Sequence, residues 1–184
     1  MNLPKDYRIE TARCTLRIVS EEDIPHVFSA SQFEGFTDGM LWEPPKKEKE
    51  LLGNIQKSSS AWERGKDYSF TIIDSHTNNF IGRVSIRKKE EVALWDVGFW
   101  THPDQQNKGY MSEALAAILK LGFTKLEAEN IQAAHATWNK ASRAVLEKNG
   151  FKFKAVLPQG FKKKGKWIEE NQLSISKSDW KNAI

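Results

Sequence analysis

Residues 98–115 read GFWTHPDQQNKGYMSEAL, a stretch that passes from an apolar strand pattern through a turn into a helix pattern. The turn holds one glycine, Gly109, directly before the helix pattern begins. A glycine-containing turn at a helix start presents backbone N–H groups that lack partners inside the helix, and the helix dipole adds positive potential there. The stretch therefore predicts a phosphate-binding turn between a strand and a helix.

The residues before this stretch alternate between strand and helix patterns. Residues 14–19 predict a strand, and Ser20 with the acidic residues after it predicts the start of a helix. After a loop at 36–45, apolar positions on one helical face predict a second helix, from Lys47 to Gly65. Three strand-like runs then predict an antiparallel meander: 68–74, 80–87 and 92–100.

The residues after Gly109 continue the alternation. Helical spacing of apolar residues predicts a core-facing helix of about 15 residues, and residues 131–138 predict a buried strand. Asn139 is typical of a helix N-cap, and Gly150 of the residue that ends such a helix. Two last strands flank a basic turn: 151–157 and 168–176.

This order predicts an α/β (α+β) domain with a mixed, mostly antiparallel central sheet flanked by helices. One strand–helix–strand unit lies at its centre, and the repeated βαβ units of a doubly wound fold are missing from the pattern. At 184 residues the chain is expected to form a single domain over 1–184.

The composition is typical of a cytoplasmic protein, with 39% hydrophobic and 28% charged residues, no membrane-spanning run and no signal-peptide pattern. One cysteine, Cys14, excludes an internal disulfide and is expected to be a small apolar residue in a strand. No spacing of ligand residues predicts a metal site. The net charge of +4 comes largely from basic stretches at 45–50 and 161–166, which suit an anionic ligand or a solvated basic face.

Two segments carry a family resemblance. GFWTHPDQQNKGYMSEAL and, after a helix and a strand, WNKASRAVLEKNGF (138–151) resemble the two core motifs of the GNAT acetyltransferases. TLRIVSEEDIPHVF (15–28) and FIGRVSI (80–86) resemble the branch of RimJ/RimL ribosomal-protein N-terminal acetyltransferases. The resemblance implies a GNAT fold and acetyl transfer from acetyl-CoA, without a metal, to a primary amine such as a protein N-terminus.

The family pattern of the pyrophosphate loop matches Gln106, Gly109 and, at a position that is usually small, Met111. The resemblance implies that backbone N–H groups and the Ser112 hydroxyl hold the diphosphate of coenzyme A. The implied binding residues are Gln106, Asn107, Lys108, Gly109, Tyr110, Met111 and Ser112. Asn107 stands where glycine is frequent, so with Met111 it lowers the affinity that we expect.

The run WDVGFW (95–100) resembles the family's strand that diverges from its neighbour and leaves backbone groups free for the pantetheine arm. The resemblance implies that amides of Phe99, Trp100 and Thr101 lie beside the thioester, where an N–H group would stabilise developing negative charge. Gly98 would allow this close approach, or would only relieve packing around a neighbouring tryptophan.

In the second motif, the resemblance implies that Asn139 contacts the cofactor arm and that Ser142 reaches the sulfur. Many family members carry a tyrosine as general acid where this chain has Leu146. Ser142 is therefore the best available donor to the departing thiolate. The alternative is that Asn139 only caps a helix and Ser142 only occupies its first turn.

An attacking amine must be neutral, so a nearby carboxylate is expected to act as the general base. Asp96, which interrupts an apolar strand, is the first candidate, and Glu43 is the second; either could be a solvated or paired carboxylate. The loop 33–45 and the turn 158–166 are expected to form walls of the acceptor site. His135 is expected to be buried and hydrogen-bonded rather than catalytic.

Three other functions remain open from the sequence. The chain could acetylate a small-molecule amine, bind an acyl-CoA without catalysis, or bind nucleic acid through its lysines. The last is weakly supported, because only Phe161 and Trp167 accompany the basic run at 161–166. A covalent route is not expected, because Cys14 lies outside the motifs.

Overall fold

One eight-stranded sheet organises residues 2–182, the part of the chain that the computed structural model describes. The strand order is β1-β2-β3-β4-β5-β6-β8-β7. The elements are β1 (Arg8–Glu10), β2 (Cys14–Ile18), α1 (Ile24–Ser31), α2 (Leu52–Glu63), β3 (Asp67–Asp74), β4 (Phe80–Lys88), β5 (Leu94–Thr101), α3 (Tyr110–Thr124), β6 (Asn130–Ala136), α4 (Lys140–Lys148), β7 (Lys152–Lys163), β8 (Lys166–Ser176) and α5 (Lys177–Asn182).

The pairing of β5 with β6 sets this sheet apart from a simple meander. Those two strands are parallel and are joined through α3, whereas the other neighbouring pairs among the described strands are antiparallel. Their register runs only from Leu94↔Asn130 to Asp96↔Gln132, although both strands continue beyond it. The predicted mixed, mostly antiparallel sheet is confirmed. We call the space between the two strands beyond Asp96 and Gln132, where they no longer pair, the β5–β6 gap.

The two faces of the sheet differ in character. On the first, which we call the α3 face, α3 packs over the main core, which includes Trp95 and Val97 of β5. Side chains alternate along a strand, so Asp96, Gly98 and Trp100 lie on the opposite face. That second face has a smaller apolar cluster with α1 around Val27 and Phe80, and polar side chains elsewhere.

Several boundaries differ from the sequence-based prediction. The last two strands run to Lys163 and start again at Lys166, so most of the predicted turn 158–166 is strand. Pro158 and Gly160 are tolerated because β7 is an edge strand whose register shifts between Leu157 and Phe161. The three-residue β1 and the six-residue α5 were not predicted, because so few residues carry no readable period.

Cys14 lies fully buried in β2, as predicted for a small apolar residue. Burial raises the pKa of its thiol to about 11, so the thiol is protonated at neutral pH. It is not available as a nucleophile.

Candidate active site

The turn before α3 is an array of free backbone donors. Gly109 is the N-cap of α3 with φ 78°, and Asn107 also adopts a left-handed conformation with φ 62°. Within residues 2–182, the N–H groups of residues 107–112 have no hydrogen-bond partner, whereas that of Gln106 donates to Pro103 at 3.3 Å. A phosphate group therefore fits the array at 107–112, which we call the amide cradle, and the backbone of Gln106 lies outside it.

Arg13 approaches the amide cradle from the bend directly before β2, and no sequence pattern predicted it. Its Nη1 donates to the carbonyl of Lys108 at 3.0 Å, and its Nε pairs with Glu113 at 2.7 Å. Its Nη2 lies 3.5 Å from the position of a Cβ on Gly109. The guanidinium brings N–H donors close to the cradle while Glu113 balances its charge, and the Lys108 ammonium donates instead to the backbone carbonyl of Asp104 and the side-chain oxygen of Gln105.

Three other side chains of the predicted loop have separate positions. The Tyr110 hydroxyl donates to Asp74, and this bond, with two backbone amides, holds the pKa of Asp74 well below its usual range. Met111 is buried in the core, which explains why a large residue is accepted there. Ser112 is half-buried in the first turn of α3.

Beyond Asp96, β5 presents backbone groups to the β5–β6 gap. The N–H of His102 bonds to Ile81 in β4 at 2.8 Å, so alternation turns the N–H groups of Phe99 and Thr101 toward β6. The carbonyl of Thr101 accepts from the Gln106 amide at 3.4 Å on that side. Trp100 differs, since its carbonyl packs directly on Gly82 of β4.

Gly98 faces Arg87 on the second face, where a Cβ on Gly98 would come within 2.4 Å of the guanidinium. The nearest atoms around that position belong to Arg87 and Ser85 rather than to a tryptophan. Close approach of a pantetheine arm at Gly98 stays a prediction. Arg87 is 3.4 Å from Asp96 and brings a half-exposed positive charge to this face.

The second predicted motif lies at the same edge of the sheet as the amide cradle, because the parallel strands β5 and β6 end there. Asn139 caps α4 by accepting from the N–H of Ser142 at 3.0 Å, which confirms the predicted cap. The Ser142 hydroxyl is half-buried and has no hydrogen-bond partner within residues 2–182. Leu146 is fully buried and offers no proton donor.

Two carboxylates approach each other on the second face. Asp96 occupies the last position at which β5 pairs with β6, and burial raises its pKa even though Arg87 opposes this effect. Glu170 of β8 also has a raised pKa, from burial and from the charge of Asp96. Glu170 was not predicted, although alternation in WIEENQL places it on the same face as Gln172.

Glu43 lies apart from these carboxylates, in the loop between α1 and α2. Its side chain is 57% exposed and forms an ion pair with the ammonium of Lys163 at 3.4 Å. Trp42 and Phe36 pack together in the same loop, and Phe36 also packs on Trp100. The Glu43–Lys163 ion pair joins this loop to the β7–β8 hairpin, and the role of the two as walls of an acceptor site stays a prediction.

His135 is buried, as predicted, but its ring is only half satisfied. Its Nδ1 lies 2.8 Å from the carbonyl of Ala136, so this nitrogen carries the proton. Its Nε2 is buried and has no partner among the described residues. The residue lies in the part of β6 that no longer pairs with β5.

Neither a metal-binding cluster nor a membrane-spanning helix is present in residues 2–182. No group of three or more potential ligand side chains is close enough together to hold a metal ion. None of the helices there combines the length and the apolar character needed to cross a bilayer.

The profile of the acetyltransferase (GNAT) domain family matches residues 13–152. The Bacillus subtilis protein named "Uncharacterized N-acetyltransferase YoaA" is 25% identical over 172 residues, 92% of this chain and 96% of that protein. RimL, a ribosomal alpha-N-protein acetyltransferase solved with coenzyme A, has a TM-score of 0.83 at 19% identity, covering 92% of this chain and 98% of that one. Mycobacterium smegmatis RimJ, solved with a CoA-disulfide, has a TM-score of 0.76 at 19% identity, covering 92% and 88% of the two chains.

Proposed function

Because this chain belongs to the GNAT acetyltransferase family and is an N-acetyltransferase, we propose that it moves the acetyl group of acetyl-CoA to a primary amine by direct attack in a ternary complex. The observation that carries this proposal is the coincidence of two features at one sheet edge. The amide cradle at 107–112 and the β5–β6 gap both offer backbone donors that have no partner among the described residues, 2–182.

We propose that the amide cradle and Arg13 hold the diphosphate, with the Ser112 hydroxyl beside them. The pantetheine arm then follows the β5–β6 gap, where Phe99 and Thr101 offer N–H groups. Acetyl-CoA supplies an acetyl group activated as a thioester. An N–H group aimed at the thioester carbonyl stabilises the charge that develops there, which is often the largest single catalytic contribution.

Proton transfer is assigned to two side chains. Asp96 accepts a proton from the amine, directly or through water, because burial raises its pKa toward the working range of a general base. Ser142 donates a hydrogen bond or a proton to the departing thiolate, and its free hydroxyl supports this role. The capped Asn139 contributes by fixing the start of α4 and with it the position of Ser142.

The α-amino group of a protein or peptide is the proposed acceptor, and the fold that the chain shares with RimL and RimJ supports this choice. A small-molecule amine is the alternative. Nucleic acid is disfavoured because one lysine of the basic run, Lys163, is buried and bonded within the fold.

The proposal is tested by calorimetric titration with acetyl-CoA and by a free-thiol release assay. Peptides with free α-amino groups, matched N-acetylated peptides and simple amines serve as acceptors. We expect tight acetyl-CoA binding and thiol release that requires a free α-amino group. Binding without thiol release on any amine would contradict catalysis, and release with simple amines alone would move the acceptor to small molecules.

A further inference from the structure

A buried lysine joins the two walls that border the acceptor side of the site. Lys163, the last residue of β7, is only 6% exposed. Its ammonium donates to the carbonyl of Trp42 at 2.7 Å and to that of Met40 at 3.1 Å, and it pairs with Glu43 at 3.4 Å. Burying an ammonium is costly unless its N–H donors are satisfied. The conformation in which residues 40–43 lie against Lys163 is therefore favoured over conformations in which these three contacts are lost.

The segment that Lys163 holds lies across the outer end of the β5–β6 gap. We call residues 36–43 the bridging segment. Its Phe36 ring packs on Trp100 of β5, with centroids 5.3 Å apart. Its Gly39 lies over Trp138, just after β6, where a Cβ would be 3.2 Å from the indole and 3.6 Å from the Asn139 amide nitrogen.

The bridging segment therefore contacts β5 at Trp100 and the residues that directly follow β6, Trp138 and Asn139, beyond the last pairing of the two strands. It does so on the second face, because the side chain of Trp100 lies there together with the cluster of Trp42 and Phe80. Acetyl-CoA in the proposed function enters along the edge that carries the amide cradle. An amine must then reach the thioester from the second face, under this segment.

We propose that Lys163 is a positioning residue that fixes the bridging segment over the gap, so that an amine acceptor is admitted and bulk water is excluded from the thioester. This inference rests on the proposed function. The contacts of Phe36 and Gly39 place the segment near the gap but do not bind its backbone. The hydrogen bonds from Lys163 to the carbonyls of Met40 and Trp42 fix the position of that backbone. Excluding water from the site also strengthens every electrostatic interaction within it.

The proposal assigns Glu43 to this anchor rather than to proton transfer. Glu43 supplies one of the three contacts of the ammonium, and its exposed side chain keeps most of its hydration. Replacing Glu43 with glutamine would then loosen the segment slightly. It would not create a rate loss that alkaline pH repairs.

The test compares Lys163→Met with Lys163→Arg and with Lys162→Met, a neighbour on β7 whose side chain is exposed and lies over Trp167. Three quantities are measured on the full chain: hydrogen exchange of the amides at 36–43, acetyl-CoA affinity by calorimetry, and thiol release from acetyl-CoA with no amine present. For Lys163→Met we expect faster exchange in the segment, unchanged acetyl-CoA affinity and a severalfold rise in thiol release by water. In Lys163→Arg, both the exchange at 36–43 and the thiol release by water should return most of the way to the values of the unaltered protein. Lys162→Met should match the unaltered protein in both.

Unchanged exchange at 36–43 in Lys163→Met would overturn the proposal, and so would faster exchange without any rise in water-driven thiol release. If Lys163→Met does not fold, Lys163→Gln gives the same readouts, because glutamine is polar but too short to reach both carbonyls. Failure of the unaltered protein to bind acetyl-CoA would instead overturn the proposed function. The exchange measurement would then still decide whether Lys163 holds the segment.

Discussion

At the scale of single residues, the site depends on backbone geometry that only glycine adopts at low cost. Gly109 has φ 78°, where a residue with a Cβ is strained by about 1 kcal/mol or more. Around its missing Cβ, only Arg13 lies within 4 Å in the described protein, at an ordinary contact distance of 3.5 Å. Space beside Gly109 is thus left open by the protein itself, which is what close approach of a phosphate requires.

The first prediction concerns Gly109→Ala. The added methyl group should weaken acetyl-CoA binding by roughly tenfold or more, equivalent to about 1.4 kcal/mol, because it occupies space beside the cradle. Gly165→Ala is the matched control, since Gly165 has φ 82° and nothing within 4 Å of its Cβ position. Both variants should lose similar stability in thermal unfolding, but only Gly109→Ala should lose affinity in calorimetry; equal affinities would contradict the phosphate assignment.

The second prediction concerns Ser142→Ala. Its backbone N–H remains bonded to Asn139, so the start of α4 should be preserved. A group that assists the leaving thiolate acts mainly in the transition state, so kcat and kcat/KM should both fall roughly tenfold to a hundredfold. Acetyl-CoA affinity, measured separately by calorimetry, should stay unchanged. A parallel loss of affinity would make Ser142 a binding residue only.

Residue by residue, the sequence predicted what local patterns encode and missed what depends on distant contacts. The Asn139 cap and the glycine turn are local, and both are confirmed. Arg13 reaches Lys108 across 95 positions and Lys163 reaches Trp42 across 121, so no sequence period could reveal either contact. The unsatisfied Nε2 of His135 depends equally on which neighbours the fold leaves out.

At the scale of elements, the periodicity of the sequence predicts the central β5–α3–β6 unit. It does not predict that β5 and β6 stop pairing partway along their length. The apolar runs predict two strands and a helix, but nothing in an apolar run states that pairing ends at Asp96 and Gln132. That expectation came from the family resemblance alone. The length of β7 was missed because Pro158 and Gly160 are usually strand breakers, and an edge strand with a bulge accepts them.

The third prediction concerns Asp96, the proposed general base on the second face of β5. Asp96→Asn should bind acetyl-CoA normally and acetylate slowly at neutral pH, because the amine has lost its proton acceptor. Raising the pH should restore part of the rate, since more of the amine is then already neutral. The measurement is the pH dependence of kcat/KM with the best acceptor from the panel.

Two matched variants complete that experiment. Glu43→Gln should keep the unaltered pH profile, since Glu43 belongs to the Lys163 anchor. Glu170→Gln tests the second carboxylate with a raised pKa. A slow, alkaline-rescued rate in either variant beside a normal Asp96→Asn would transfer the role of base, and normal profiles in all three would mean that bulk water takes the proton.

At the scale of the whole molecule, the second face carries three partly buried carboxylates, Asp67, Asp96 and Glu170. Burial raises the pKa of each, and Arg87 lowers the pKa of Asp67 and Asp96 without cancelling the effect. A fold selected only for stability would replace such groups with apolar or neutral side chains. The presence of Asp96 and Glu170 beside the β5–β6 gap fits a general trade of stability for activity at functional sites.

The last prediction concerns how the raised pKa of Asp96 changes the stability of the protein with pH. A carboxyl whose pKa is raised on folding favours the native state most at low pH, where both states are protonated. As pH rises through the unfolded value, about 3.9 for aspartate, the unfolded state ionises first, and native stability falls until the raised native pKa is passed. Asn cannot ionise, so the stability of Asp96→Asn relative to the unaltered protein should increase as the pH rises above about 4 and level off once the native pKa of Asp96 is passed.

Urea unfolding at several pH values measures this difference directly. The contact with Arg87 forms only when Asp96 is ionised, so it opposes this slope, and the raised pKa of Asp96 means that burial outweighs it. The variant should therefore become relatively more stable toward neutral pH while its acetylation rate falls. A difference that stays flat with pH would mean that folding leaves the pKa of Asp96 unchanged, so that a raised pKa cannot be what suits Asp96 to accept the proton of the amine.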